Sequence, residues 1–173
     1  MDGRYPCARR KQPGTSVRMA AIVISEARSE DQRARAFAIR REVFVVEQGI
    51  SEALEFDGLD ATACHLLAYR HGEPVGSLRL RFMEDGRVAK IERVAVRAAA
   101  RRHKVGQALL QAALALARAA GASEARLHAQ CTVQGFYARL GFAACGPMFV
   151  EDGILHVAMR VTLTEARAQM QGR

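Results

Sequence analysis

Three fixed cations and a histidine, Arg101-Arg102-His103-Lys104, run directly into Val105-Gly106-Gln107 and an apolar segment. Leu109, Ala113, Leu116 and Ala117 recur at helical spacing, so a helix is expected from about Val105 to Ala120, closed by Gly121. A helix N-terminus exposes unpaired N–H groups and partial positive charge, so added cations there are unfavourable until an anion arrives. The chemistry implied is binding of a phosphate or pyrophosphate by Arg101, Arg102, His103, Lys104, Val105, Gly106 and Gln107, with Gly106 admitting close backbone approach. His103 and Gln107 are expected to flank the phosphates rather than react. A charge run alone reads as a solvated basic loop; a strand before it and an amphipathic helix after it favour the anion site.

The elements that must position this turn are legible on both sides of it. Ala21 to Ala27 reads as a strand, and Ser29 caps a helix through about Glu47, with Phe37, Arg41 and Phe44 near one face. Residues 48–61 read as an acidic loop. Cys64 to Tyr69 is an apolar strand, and Val75 to Phe82 alternates with period two. Glu84-Asp85-Gly86-Arg87 is a hairpin turn leading into a strand over Val88 to Val96. Beyond the long helix, a strand is expected over Ala125 to Ala129 and a short helix over Thr132 to Leu140. Two last strands, Phe142 to Cys145 and Ile154 to Leu163, flank a loop holding Gly146-Pro147 and Asp152-Gly153. This order predicts a mixed α/β or α+β sheet carrying helices.

Composition narrows the classes. At 173 residues with half of them apolar, one domain is the simplest organisation, here placed at residues 21–164 between a basic tail (1–20) and a polar tail (165–173). The net charge of +8 is about half accounted for by Arg4, Arg9, Arg10, Lys11 and Arg18 against Asp2 in the first tail. Only three tyrosines, no tryptophan and no recognition motif argue against a nucleic-acid partner. No apolar run is long enough for a membrane span, and no secretory signal is evident, so a cytoplasmic location is expected. Cys7, Cys64, Cys131 and Cys145 form no C-x-x-C pair, Cys64 and Cys145 read as small buried hydrophobes, and the five histidines show no metal spacing.

The strand Ile91-Glu92-Arg93-Val94-Ala95-Val96, the turn with Arg101 and Gly106, and the later Phe136-Tyr137-x-x-Leu140-Gly141-Phe142 together resemble the GNAT N-acetyltransferase superfamily. Its signature is a strand followed by R/Q-x-x-G-x-G/A opening a helix. Lys104 stands where that pattern has its first glycine; if the turn requires positive φ, a lysine there is strained. Phe44-Val-Val-Glu47-Gln48, Lys90-Ile-Glu-Arg93, Ala129-Gln130 and Phe149-x-Glu151-x-Gly-Ile154-x-His156 resemble its YjcF-like and ElaA-like branch. The resemblance runs from about Ile22 to Leu163.

The resemblance implies the GNAT acyl-CoA N-acyltransferase fold, a central twisted mixed sheet flanked by helices, with acetyl-CoA as acyl donor and no metal. The donor would lie where the strands at Ile91 to Val96 and Ala125 to Ala129 splay, against the backbone of Val94, Ala95 and Val96. A primary amine of a small molecule or peptide would attack directly, in a monomer or homodimer. Tyr137 is the implied donor to the departing sulfur. Glu92, expected on one face with Lys90, Val94 and Val96, is the implied base; the alternative is an ion pair with Lys90, Arg93 or a basic residue on the next strand. Gln130 would bond the CoA arm. His156 would face the acceptor or act as a base, or be structural like His65. Glu47 and Asp57, with Glu52, Glu55 and Asp60, would form an acidic rim for a cationic amine, or be merely solvated. A CoA-binding module of this fold with little turnover is the alternative function.

Overall fold

A computed structural model describes residues 22–163; both predicted tails lie outside the described residues. Seven strands form one sheet: β1 (Ile22–Glu26), β2 (Cys64–Arg70), β3 (Glu73–Met83), β4 (Val88–Val96), β5 (Glu124–Gln130), β6 (Ala143–Glu151) and β7 (Ile154–Thr162). Their order is β1-β2-β3-β4-β5-β7-β6, antiparallel throughout except between β4 and β5. The helices are α1 (Glu30–Arg40), α2 (Glu52–Glu55), α3 (Val105–Ala119) and α4 (Gln134–Ala138). This is the expected mixed sheet with helices on both faces.

Each helix is fixed by local chemistry. Ser29 and Gln32 form a reciprocal capping box on α1, and Glu30 and Asp31 favour its first turn. The chain stays helical to Glu47, as expected, but widens to π-type geometry from Arg41 onward. α3 buries Val105, Ala108, Leu109, Leu110, Ala113, Leu114 and Ala117 against one sheet face, and Gly121 ends it at φ +87°. Ala36, Ile39 and Val43 cover part of the other face with Leu67 and Ala95.

Three expectations need correcting. The loop 48–61 contains α2 and runs into a 3₁₀ turn at Asp60–Thr62. β6 does not stop at Cys145 but continues through Gly146-Pro147 to Glu151, with a register shift between Ala144 and Met148, and Cys145 is exposed. An edge strand tolerates proline because one row of its N–H groups has no strand to meet. On α1 the guanidinium drawn inward is Arg40, wholly buried, while Arg41 is exposed against the Phe56 ring and pairs with Glu52.

Two irregularities in the middle of the sheet matter most. β4 and β5 pair over only three rungs, Val88–Glu124, Ala89–Ala125 and Lys90–Arg126, and then part. On its other edge β4 bulges: Arg79 faces Glu92 and Ser77 faces Ala95, so Arg93 and Val94 together oppose Leu78. Arg93 takes φ +53° to do this. The bulge reverses the phase of the strand. Ala89 and Ile91 pack on the α3 side, and so do Val94 and Val96, whereas Ala95 packs on the α1 side. Glu92 therefore does not share a face with Val94 and Val96, as strict alternation would require.

Candidate active site

The expected acidic rim is an ion-pair lattice. Arg40 and Arg79 are fully buried, and burying a guanidinium costs several kcal/mol unless it is paired and hydrogen-bonded. Arg40 donates from Nε to Glu55 at 2.5 Å and from Nη1 to Asp60 at 2.6 Å, with the Phe37 and Phe56 rings at 5.2 and 5.0 Å. Arg79 donates a pair of 2.7 Å bonds to Asp57, a 3.2 Å bond to Asp60 and a 2.9 Å bond to Glu92. Arg93 closes the lattice with bonds to the Leu54 carbonyl at 2.8 Å and Asp57 at 3.3 Å, so the bulge aims this side chain at the loop. Asp57 is thus occupied by Arg79 and Arg93, Glu52 by Arg41 and Glu47 by Arg101. Asp57 thereby ties the chain after α2 to β3 and β4, whereas Glu52 pairs within its own segment and Glu47 with the turn after β4, both in exposed pairs.

Glu92 belongs to the same lattice. One oxygen accepts from Arg79 and the other lies 3.6 Å from Arg81. Its expected ion pair with a basic residue on the next strand is present.

At the cationic turn, Arg101 donates to both Glu47 oxygens at 2.7 and 2.6 Å and to the Val96 carbonyl at 3.1 Å. In this structure its charge is matched by Glu47 in an exposed pair. Arg102, His103 and Lys104 are exposed and have no side-chain hydrogen bond or ion pair among the described residues. Lys104 caps α3 with φ +61° and no side-chain cap bond, and Arg102 has φ +67°. The first N–H groups of α3 are therefore uncapped by any side chain, beside three unmatched basic groups. Left-handed backbone costs a non-glycine residue about 1–2 kcal/mol, and a glycine returns roughly half to all of that through unfolded-chain entropy. Lys104→Gly is accordingly expected to raise stability by no more than about 1 kcal/mol, read by thermal unfolding.

A Cβ at Gly106 would lie 3.3 Å from Cζ of Phe136, so the missing side chain also makes room for the ring of α4. Gln107 lines a groove between α3 and α4 with Leu110 and Arg139.

Tyr137 is buried beside Phe136 and Phe142, with ring centroids 5.1 and 6.1 Å away. Burial pushes its phenol up to about 12, and the hydroxyl has no hydrogen-bond partner among the described residues. Gln130, at the end of β5, donates its amide to the Gln48 side chain at 3.0 Å. Across the β5–β7 ladder it faces His156, which in turn faces Phe149 on β6. The sequence alone assigns no site role to Arg40, Arg79 or Phe149. The one signal for Arg79 was an arginine at an alternating strand position, which period alone assigns to solvent.

Residues 25–163 match the family model described as acetyltransferase (GNAT) domain. The N-acetyltransferase YjcF of Bacillus subtilis, named as uncharacterized, is 36% identical over 142 residues, covering 82% of this chain and 98% of that protein. Among solved structures, an acyl-CoA N-acyltransferase from Pseudomonas aeruginosa aligns with TM-score 0.70 and 32% identity over 81% of this chain and 98% of its own. Escherichia coli ElaA aligns with TM-score 0.71 and 29% identity over 81% and 99%.

Proposed function

We propose, for a chain that belongs to the GNAT acetyltransferase family and is an N-acetyltransferase, that it moves an acetyl group from acetyl-CoA to a primary amine of a small molecule or peptide. Attack is direct, in a ternary complex. The family uses acetyl-CoA, and the observation that carries the reading is the parting of β4 and β5 after three rungs, close to a helix entrance with unmatched cations. Beyond Lys90 and Arg126 neither strand satisfies the other's backbone groups, so N–H and C=O groups from Ile91 to Val96 are available to an amide-bearing chain laid in the gap. Val94, Ala95 and Val96 would hold that arm. An N–H at Val94, freed by the bulge, would stabilise the oxyanion.

The pyrophosphate would take the uncapped N–H groups of Val105, Gly106 and Gln107 with Arg102, His103 and Lys104. Arg101 would orient the turn through Glu47. Gln130 would offer its amide oxygen to the CoA arm while its nitrogen stays on Gln48. Acetyl-CoA supplies the activated acyl group; the chain supplies positioning, oxyanion donors and a hydrogen bond from Tyr137 to the departing sulfur. The lattice leaves Glu92, Glu47 and Asp57 as groups that shape the acceptor side rather than react. His156 would line it.

CoA or acetyl-CoA is expected to raise the melting temperature, because a ligand of the folded state alone must stabilise it. Arg102→Glu is expected to remove most of that shift. An undiminished shift in the variant overturns the cradle, and no shift in the wild type overturns acetyl-CoA as donor.

A further inference from the structure

Resting on the N-acetyltransferase reading above, we propose that His156 is the catalytic base that takes the proton from the incoming amine. The assignment starts from a hydrogen bond. Nδ1 of His156 lies 2.8 Å from the carbonyl oxygen of Ile154. A carbonyl only accepts, so Nδ1 carries the hydrogen. In the neutral ring the lone pair is then on Nε2, which has no hydrogen-bond partner among the described residues. The ring is 9% exposed and stacks on Phe149 at 6.1 Å and 24°. It is therefore held in one tautomer and one orientation, with its basic atom unspent.

Its position fits the role. Directly opposed residues of an antiparallel pair share a face, so His156, Gln130 and Phe149 stand on the same side. Gln130 reaches Gln48 at the end of the α1 segment, which identifies that side as the one away from α3. Gln130 is also the last residue of the strand that parts from β4. The base thus lies one strand from the opening, on the face where an amine would enter. Around it, β5 contributes His128 and Gln130, and β6 contributes Phe149 and Glu151. Nδ1 of His128 lies 3.2 Å from Glu151, so that carboxylate is engaged by the other histidine, and the Phe149 ring stands between the two imidazoles. The competing carboxylate, Glu92, is bound by Arg79.

The proton account is simple. At pH 7 an alkylamine with a pKa of about 10.4 is neutral in only about one molecule in a few thousand. The ammonium gives one proton to Nε2, and the freed pair forms the C–N bond to the thioester carbonyl carbon. The C–S bond breaks as the tetrahedral species collapses, and the surplus proton on nitrogen passes to the thiolate held by Tyr137. His156 then loses its proton to solvent, so one proton is released per amide formed.

The test uses His156→Asn, whose amide nitrogen replaces the Nδ1 donor to Ile154, and His156→Gln as a second variant. Thiol release is followed across pH with saturating acetyl-CoA and a panel of polyamines, amino acids and lysine peptides. His128→Gln serves as control. Both His156 variants are expected to lose about 100-fold in kcat at pH 7, with acetyl-CoA KM within twofold, and to lose the acid limb of kcat that His128→Gln retains. The deficit is expected to shrink with an aromatic amine, which enters unprotonated. A folded variant, judged by its acetyl-CoA thermal shift, that keeps kcat within threefold or keeps the acid limb overturns the proposal. Wild-type protein that acetylates none of the amines overturns the N-acetyltransferase reading itself and this assignment with it.

Discussion

Tyr137→Phe is expected to lower kcat by about 100-fold or more while leaving acetyl-CoA affinity within a few-fold and the melting temperature unchanged or slightly raised. The reasoning turns on a comparison of acidities. Burial pushes the phenol up to about 12. An ordinary thiol lies near 8.5, so full proton transfer from Tyr137 to the thiolate would run uphill by about 5 kcal/mol. In the proposed role the phenol would therefore act as a hydrogen-bond donor that stays neutral throughout the working range, its bond strengthening as charge develops on sulfur. That pattern predicts an effect on turnover, not on binding, and no alkaline limb from this residue. Because the hydroxyl has no partner among the described residues, its loss orphans nothing there. A variant with kcat within threefold of wild type, or one that loses binding and turnover equally, refutes the assignment.

Arg79→Met produces the largest expected loss of stability. It strips the shared counterion from Asp57, Asp60 and Glu92 at once. Removing one partner of a buried pair typically costs about 3–5 kcal/mol, a large part of the total of about 5–15 kcal/mol for a domain. In thermal unfolding this corresponds to a fall on the order of 10 °C. Adding Asp57→Asn and Glu92→Gln should recover part of it, since those carboxylates are the groups left uncompensated. A fall of under 2 °C would show that the lattice is not structural. The same contacts set the acid response. Hydrogen bonds from Arg79 hold the Asp57 carboxyl well below the usual carboxylate range. A carboxylate depressed in the fold contributes stability that is present above its unfolded value, near pH 4, and lost as pH falls through the folded one. Asp57→Asn should therefore lower stability at pH 7 and flatten the acid-side decline below about pH 4.

The succession of elements was legible because periodicity and turn residues are local. Pattern and caps predict β4 at Val88–Val96, α3 to within one residue, and Ser29 as the cap of α1. Three features were not legible, each for a physical reason. Arginine carries no backbone preference that marks a bulge, so Arg93 read as ordinary strand and the phase of Glu92 was inverted. The loop carboxylates read as an amine-attracting rim or as solvated charges because their partners, Arg40, Arg79 and Arg93, lie on three other elements and meet them only in the fold. Gly146-Pro147 read as loop because a turn signal and an edge-strand irregularity look alike without a neighbour to count. A lysine at position 104 is strained if the turn requires positive φ, and the φ of +61° meets that condition.

The three-rung seam between β4 and β5 also bears on mechanics. Seen in plan, the sheet is two panels, β1 to β4 and β5 to β7, stitched along one short edge. A donor lying along the open part of that seam would splice the panels with bonds that the polypeptide does not make for itself. Amide hydrogens of Ile91 to Val96 and Leu127 to Gln130 on the facing edges should then exchange quickly in the free protein and slow sharply on complex formation, coupling occupancy to the rigidity of the whole sheet.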